Sequence, residues 1–334
     1  MSTTLSLPRL LQAFFHHWLV QQRGASAHTV HAYRDTWRLF LRFVAARRRR
    51  DVSDLAFSDL TGAEVLAFLE HVEHERHASI TTRNCRLAAL RSFFAFVAEH
   101  EPLAAGQCAE VLRVPVKRAP RRTITYLDPE EVKAILAQPD RATLSGQRDH
   151  ALLALLYNTG ARIDEALNLT SATARLESPA QVRLIGKGRK ERICPLWPET
   201  AVLLAALLKR QPRDEHEPIF ANRYGEPLRA SGVRFRLRQY VAAAAKTHPR
   251  LREKHVTPHT FRHTAAVHLV AAGVDVAVIQ SWLGHVHLDT TFLYAQANVE
   301  TKRRAIEQVD GPSRTARPPR WKRDSALLAW LDSL

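Results

Sequence analysis

The sequence predicts a mainly α-helical protein with one small antiparallel β-sheet, an α+β fold arranged as two domains. Most segments space their apolar residues three and four positions apart, as one face of a helix does. A single segment, QVRLIGKGRKERICPL, alternates apolar and polar residues about a glycine-rich turn, which indicates a β-hairpin. The 334 residues, 46% of them hydrophobic, suffice for two domains with separate cores.

The charge balance favours a nucleic-acid partner. Lysine and arginine total 49 against 33 acidic residues, a formal net charge of +16. A polyanion is the simplest complement, because each neutralised phosphate releases bound counterions. The alternative is that this charge serves only solubility.

The cysteines and the apolar segments bear on the cellular location. Cys85, Cys108 and Cys194 are odd in number and share no short spacing, so they fit neither a disulfide framework nor a zinc site. The N-terminus has no signal-peptide pattern, and no apolar run approaches ~20 residues. We therefore expect a cytoplasmic protein without a membrane partner.

Four amphipathic helices are predicted over residues 8–100. The first, LPRLLQAFFHHWLVQQRG, ends at Gly24, and the third, TGAEVLAFLEHVEHER, begins at an N-cap Thr61 with Glu64 three residues on. The second and fourth are SAHTVHAYRDTWRLFLRFVAARRRR and SITTRNCRLAALRSFFAFVAEH. In the second helix, one valine and four aromatic residues recur with helical period and form a single stripe, which predicts core packing rather than nucleic-acid stacking. The stripe consists of Val30, Tyr33, Trp37, Phe40 and Phe43.

Basic residues on this domain and after it are candidates for DNA contact, the alternative being an ordinary solvated face. Residues 101–122 contain three prolines and several basic residues, and we expect an extended interdomain linker. The candidate DNA-binding residues are Arg47, Arg48, Arg83, Arg86, Arg91, Lys117, Arg118, Arg121 and Arg122.

The second domain is predicted over residues 123–310. Its first helix has Asp128 as N-cap and Pro129 at the first helical position. Further helices are predicted in RDHALLALLYNTG, RIDEALNL, ETAVLLAALLKR, SGVRFRLRQYVAAAAK, PHTFRHTAAVHLVAAG, DVAVIQSWLGH and DTTFLYA, with the hairpin after the second of these. Residues 311–334 form a tail whose segment DSALLAWLDSL is a short amphipathic helix.

The segment TPHTFRHTAAVHLVAAG presents an anion-binding pair. Thr257 is a natural N-cap and Pro258 a natural first residue, so His259 and Arg262 project from one face near the positive end of the helix dipole. His259 and His263 are four apart, but the zinc-protease pattern requires glutamate where Thr260 stands. His285 and His287 add no ligand spacing. No metal site is therefore predicted.

Two upstream segments add further cations. Gly160 ends a helix, so Arg162 lies at a turn where its side chain can enter a cleft, and Glu165 can orient it. Lys187 lies at the tip of the hairpin, and the P-loop pattern is absent because Gly188 follows it.

Together with Tyr294 and the preceding His285, these segments resemble the tyrosine recombinase family, also called the phage integrase family. TGARIDEALNL resembles its first arginine box, and GKGRKERICPL resembles the hairpin with the catalytic lysine. HTFRHTAAVHLVAAGVDVAVIQSWLGH resembles the H-x-x-R box with its following histidine, and TTFLYA the nucleophile box. Order and spacing agree, and the resemblance covers residues 8–305.

The resemblance implies a function and a set of roles. A helical core-binding domain and a catalytic domain would close on DNA as a C-shaped clamp, as a homotetramer or with sister recombinases. Cleavage would need no cofactor, neither metal nor ATP, and would proceed through a 3′-phosphotyrosyl intermediate at a specific core site. The catalytic residues would be Arg162, Lys187, His259, Arg262, His285 and the nucleophile Tyr294, supported by Glu165.

Two alternatives remain at the level of sequence. A DNA-binding regulator with a helix-turn-helix would suit the charge, but it leaves Arg162, Lys187 and Tyr294 unexplained. A type IB topoisomerase would share the chemistry and relax supercoils without a defined site. The biological task would be integration, excision or transposition of a mobile element, or chromosome resolution.

Overall fold

The computed structural model describes residues 6–120, 124–186, 188 and 190–284. They divide into two compact units between residues 121 and 122. The structure is mostly helical with one three-stranded antiparallel sheet, which confirms the predicted fold class. Within the described ranges, no helix has the length and apolar character needed to cross a membrane.

The first unit is a bundle of helices. In chain order its elements are α1 (Leu7–Gln12), a π-helix (Ala13–Gln22), α2 (Ala27–Arg48), 3-10 turns (Val52–Asp54 and Phe57–Asp59), α3 (Gly62–His74), α4 (Ile80–His100), a 3-10 turn (Pro102–Ala104) and α5 (Ala105–Arg113). Hydroxyl caps begin α2, α3 and α4, and the predicted Thr61 cap accepts a hydrogen bond from the Glu64 N–H at 3.3 Å.

An aromatic core holds this bundle together. Trp37 and Phe40 of α2 are buried, and the Trp37 ring lies 4.4 Å from that of Phe93 on α4, centroid to centroid. Phe14 from the π-helix contacts Phe93 edge to face at 5.3 Å. Such contacts add to the free energy gained by burying the rings. The prediction that the α2 stripe is core rather than a stacking platform is confirmed.

Residues 102–113 differ from the predicted extended linker, because they are helical and belong to the first core. Cys108 and Val111 lie on one face of α5 and are fully buried against α3 and α4. Gln107 Nε2 donates hydrogen bonds to Phe57 O at 2.7 Å and Leu60 O at 3.0 Å. The prolines at 102 and 115 flank this helical stretch instead of interrupting it.

The second unit surrounds the central helix α7. Its elements are α6 (Pro129–Leu136), α7 (Leu144–Thr159), α8 (Ile163–Leu167), a 3-10 turn (Ser171–Thr173), β1 (Ala174–Arg175), β2 (Gln181–Ile185), β3 (Glu191–Pro195), α9 (Pro198–Arg210), α10 (Ala230–Ala244), a 3-10 turn (Pro249–Glu253), α11 (Pro258–Ala271) and α12 (Val276–Leu283). Helix α7 packs against α9 and α11 through buried leucines. The C-terminal end of α7 is thereby brought beside α11.

The predicted hairpin is present as β2 and β3. Its register pairs Gln181 with Pro195 and Ile185 with Glu191, so the turn includes residue 187. Strand β1 adds two residues to the other edge of β2 and was not predicted, since so short a strand leaves no alternation to detect. The predicted helix DTTFLYA and the tail helix lie outside the described residues.

We predict that Leu87→Ala destabilises the first unit by about 2–5 kcal/mol, because its side chain is fully buried in α4 and truncation leaves a cavity. Leu103→Ala is the matched control, since Leu103 is fully exposed and its truncation changes the free energy of unfolding by less than ~0.5 kcal/mol. Chemical denaturation of the full chain measures both. Equal effects would contradict the packing described.

Candidate active site

Helix α11 positions the first pair of candidate residues. Thr257 caps the helix by accepting the Thr260 N–H at 3.3 Å, and Pro258 occupies the first position, as predicted. His259 follows Pro258 directly and is exposed, whereas Arg262, about one turn later, is only 1% exposed. The two residues therefore share a face but lie at different depths.

Arg262 ties three elements together from within the protein. Its Nη1 donates to Gly160 O at 2.8 Å, and its Nη2 donates to Leu283 O at 2.6 Å. These carbonyls belong to the ends of α7 and α12, where backbone acceptors lack helical partners. The guanidinium is thus fixed in orientation between α11, the end of α7 and the end of α12.

Arg162 lies at the turn that follows Gly160. Gly160 has φ of +59°, and a Cβ on it would meet Leu283 Cδ2 at 2.5 Å, so glycine is required for both conformation and space. Arg162 then begins α8, with its side chain 42% exposed and its Nη1 donating to Glu165 Oε1 at 2.8 Å. This guanidinium is therefore oriented yet accessible.

Glu165 is the buried centre of a charge cluster. Its carboxylate accepts the Arg162 N–H at 2.9 Å and Arg192 Nη2 at 2.7 Å, in addition to the Arg162 side chain. Burial alone would raise the pKa of Glu165, but the hydrogen bond and charge of Arg192, together with the bonds from Arg162, outweigh it and lower this pKa to about 2. Glu165 is therefore ionised, and its hydrogen bonds orient both arginines.

Arg192 is a residue that the sequence reasoning missed. Its side chain is 9% exposed, and its Nε donates to Trp282 O at 2.8 Å while Nη2 reaches Glu165. The signal was present: on β3, Arg192 shares the inward face with the buried Cys194. A charged residue on the apolar side of a strand requires a buried partner, and Glu165 is that partner.

The hairpin that carries Lys187 meets the cluster at Gly186. A Cβ on Gly186 would lie 2.9 Å from Glu165 Oε1, so only glycine lets this strand approach the carboxylate so closely. Lys187 itself lies outside the described residues. Gly186, the residue before it in the chain, lies beside the Glu165 carboxylate that orients Arg162.

The neighbouring cations affect His259. Desolvation by the surrounding protein, then the positive charges of Arg262 and Arg162, lower the pKa of its imidazole below 6.5. The ring also packs edge to face against that of His263, with centroids 4.4 Å apart. At neutral pH the His259 side chain is thus uncharged and able to accept a proton.

The end of α12 leads to the next candidate residue. Gly284 caps this helix with φ of +64°, and Arg192 Cδ lies 3.2 Å from the position a Cβ would take there. His285 follows directly in the chain, but His285 and Tyr294 lie outside the described residues. The structure therefore brings together Arg162, Glu165, His259 and Arg262.

Three of the candidate DNA-binding residues serve the first unit internally. Arg83 is buried and its Nη1 donates to Pro115 O at 2.9 Å, so its predicted role in DNA contact is revised to anchoring the segment after α5. Arg91 Nη2 donates to Leu112 O at 2.8 Å and to Val114 O at 2.5 Å. Arg86 is half-buried, with its Nη1 3.5 Å from Thr36 Oγ1.

The other described candidates are more accessible. Arg47 is 53% exposed and pairs with Glu64 at 3.0 Å, and Arg48 is 33% exposed and pairs with Asp59 at 2.8 Å. Lys117 pairs with a glutamate of α3 at 2.8 Å, and Arg118 is exposed. Arg121 and Arg122 lie outside the described residues.

Comparison with known proteins identifies the family. Residues 125–301 match the phage integrase family, and residues 11–101 match the phage integrase N-terminal SAM-like domain. The chain is 40% identical over 334 residues to the putative integrase/recombinase y4rC of Sinorhizobium fredii, covering 100% of both proteins. A second protein of that organism, y4rD, is 39% identical over 266 residues, covering 79% of this chain and 95% of the relative.

Further relatives carry the enzyme class in their names. The chain is 32% identical over 263 residues to tyrosine recombinase XerC of Chlamydia muridarum, covering 78% of this chain and 80% of the relative. The fold is similar to that of the XerH site-specific recombinase bound to its palindromic difH substrate, with a TM-score of 0.66, 19% identity, and 85% and 81% of the two chains covered. The chain belongs to the phage integrase family, and it is a tyrosine-type site-specific recombinase.

The low pKa of Glu165 gives a pH-dependent prediction. Because the folded-state pKa lies below the unfolded value of 4.5, the ionised carboxylate stabilises the fold above about pH 5, and this contribution is lost as pH falls towards 2. We expect the free energy of unfolding of the wild type to exceed that of Glu165→Gln by roughly 3 kcal/mol at pH 6 and by much less near pH 2.

Denaturation of both proteins across this pH range measures the difference. Glu130→Gln is the control, because Glu130 on α6 is a fully solvated glutamate whose ion pair with Lys133 is 71% and 72% exposed. A wild-type advantage that stays constant with pH would contradict the ionised Glu165 described here.

Proposed function

We propose that this chain cleaves and rejoins duplex DNA through Tyr294, forming a 3′-phosphotyrosyl intermediate and a free 5′-hydroxyl. The observation that carries the proposal is the cluster of Arg162, His259 and Arg262 around one face. Two glycines border this cluster, Gly186 beside Glu165 and Gly284 beside Arg192. In the sequence, Lys187 follows the first and His285 follows the second. Phosphodiester attack by a phenol needs such a combination of cations and a proton acceptor.

Each residue is assigned one role. Tyr294 attacks phosphorus, and its phenol, with pKa ~10, transfers its proton to His259, which is neutral at pH 7. Arg162 and Arg262 stabilise the charge on the non-bridging oxygens, since planar guanidiniums match phosphate geometry. Lys187 protonates the departing 5′-oxygen, and His285 donates a hydrogen bond to the phosphate. Loss of one clamping arginine is expected to lower the rate on the order of a hundredfold.

The basic residues of the first unit support a duplex DNA substrate with a specific core site. Arg47, Arg48 and Arg118 retain enough exposure to contact phosphates, and Lys117 adjoins Arg118 in the chain segment after α5. Arg91 contributes indirectly by holding that segment on α4. Arg121 and Arg122, in the linker, complete the proposed set.

The biological task we propose is integration, excision or transposition of a mobile element, in the cytoplasm, by exchange of strands through a Holliday junction. The active assembly is a homotetramer on DNA, or a complex with sister recombinases. Two similar proteins of one organism, y4rC and y4rD, support the second form.

We predict that Tyr294→Phe abolishes covalent capture of DNA while leaving DNA binding intact, because it removes only the attacking oxygen. The full-length protein is mixed with nicked duplexes of random sequence, denatured in detergent, and the attached DNA is recovered and sequenced. Wild-type protein is expected to enrich one core site. Covalent adducts that persist in Tyr294→Phe would refute the proposed nucleophile, and so would the absence of adducts with the wild type. Relaxation of supercoils without strand exchange would indicate a topoisomerase.

The tail gives a prediction about assembly. We propose that residues 312–334, which contain the apolar stripe of ALLAWLDSL, dock on a neighbouring subunit. Deleting them should leave covalent capture intact but prevent assembly of several subunits on paired core sites, as measured by native electrophoresis. Assembly that survives the deletion would remove this role from the tail.

A further inference from the structure

We propose that Arg192 is a positioning residue for DNA cleavage, which holds the hairpin so that the Lys187 ammonium reaches the departing 5′-oxygen. This inference rests on the proposed function, because it concerns how the leaving group receives its proton. It assigns a role to a side chain whose described hydrogen bonds go to Glu165 and Trp282.

The contacts of Arg192 span two elements besides its own. Nη2 donates to Glu165 Oε2 on α8 at 2.7 Å, and Nε donates to Trp282 O on α12 at 2.8 Å. With 9% of the side chain exposed, both hydrogen bonds are shielded from water. A planar guanidinium can satisfy two such acceptors at once, whereas an ammonium is a single point charge.

These contacts fix the hairpin just before its tip. Arg192 stands opposite Leu184 in the register, and Gly186, directly after β2, lies against Glu165. The Gly186 N–H donates to Lys190 O at 2.8 Å and closes the ladder at the turn. Arg192 and Glu165 therefore hold both strands at the residue that precedes Lys187.

The second anchor of Arg192 joins the hairpin to the end of α12. Trp282 O belongs to the last turn of that helix, the negative end of its dipole, where a guanidinium is favourable. Arg262 occupies the next carbonyl, Leu283 O, at 2.6 Å. The hairpin that carries Lys187 and the helix end that leads to His285 are thus held by neighbouring hydrogen bonds.

The chemistry of the leaving group allows this role to be isolated. Tyr294 Oη forms a bond to phosphorus as the bond from phosphorus to the 5′-oxygen breaks. The phenol proton passes to His259, and a proton from Lys187 Nζ passes to the 5′-oxygen. A substrate with sulfur in the 5′-bridging position releases a thiolate, whose conjugate acid has pKa ~8.5 by analogy with cysteine, and therefore needs no such proton.

The experiment compares full-length variants on the duplex recovered with the wild type, made with either oxygen or sulfur at the 5′-bridging position. Arg192→Lys is expected to cleave the oxygen substrate roughly ten- to a hundredfold more slowly than wild type. On the sulfur substrate its rate should return to near the wild-type value. Arg262→Lys, in the phosphate clamp, should be slow on both substrates.

Arg183→Lys is the matched control for the hairpin. Arg183 lies on β2, is 48% exposed and pairs across the strands with Glu191 at 3.4 Å. It shares the residue type and the hairpin with Arg192 but makes no described contact with α8 or α12. Its variant should cleave both substrates at the wild-type rate.

Several results would overturn the assignment. They are a wild-type rate for Arg192→Lys on the oxygen substrate, equal slowing on both substrates, or equal slowing by Arg183→Lys. Arg192→Gln, which keeps donors but loses the charge, is measured alongside, and loss of native circular dichroism in both variants would make Arg192 a folding residue instead. If the wild type forms no adduct with either substrate, the proposed function fails rather than the role of Arg192.

Discussion

The C-terminal end of α12 is held by two guanidiniums, and the arrangement of the candidate site depends on these contacts. Arg192 bonds Trp282 O, and Arg262 bonds Leu283 O. Glu165 connects Arg192 back to Arg162, while Arg262 also bonds Gly160 O, two residues before Arg162. The hydrogen bonds form a closed circuit through α7, α8, the hairpin, α11 and α12, so no one of these elements is positioned alone.

The charges in this circuit do not balance, and the imbalance has a chemical use. The circuit holds three arginines, Arg162, Arg192 and Arg262, but one buried carboxylate, Glu165, which pairs with the first two, and this leaves an excess of positive charge in a partly desolvated region. That excess helps to lower the pKa of the His259 imidazole, and it favours an anion such as a phosphodiester. The Glu165 carboxylate thus offsets the repulsion between Arg162 and Arg192 while the region keeps a net positive charge.

The sequence predicted those features that local chemistry dictates. The Thr257 cap, the helix end at Gly160 and the β2–β3 hairpin each depend on residues a few positions apart. Arg192 was not predicted, because its partners lie 27 and 90 positions away in the chain. Helix α5 was also missed, since the prolines at its borders resemble those of a linker until Cys108 is known to be buried.

The helical stretch of residues 102–113 fixes where the first unit can be separated from the rest of the chain. Cys108 and Val111 complete the core formed by α3 and α4, and the segment after them is held on α4 by Arg83 and Arg91. A fragment ending at His100 would leave that apolar surface open to solvent, where it favours self-association. A fragment ending at Pro120 keeps the surface covered, so the smallest stable piece of this unit is longer than its four-helix pattern suggests.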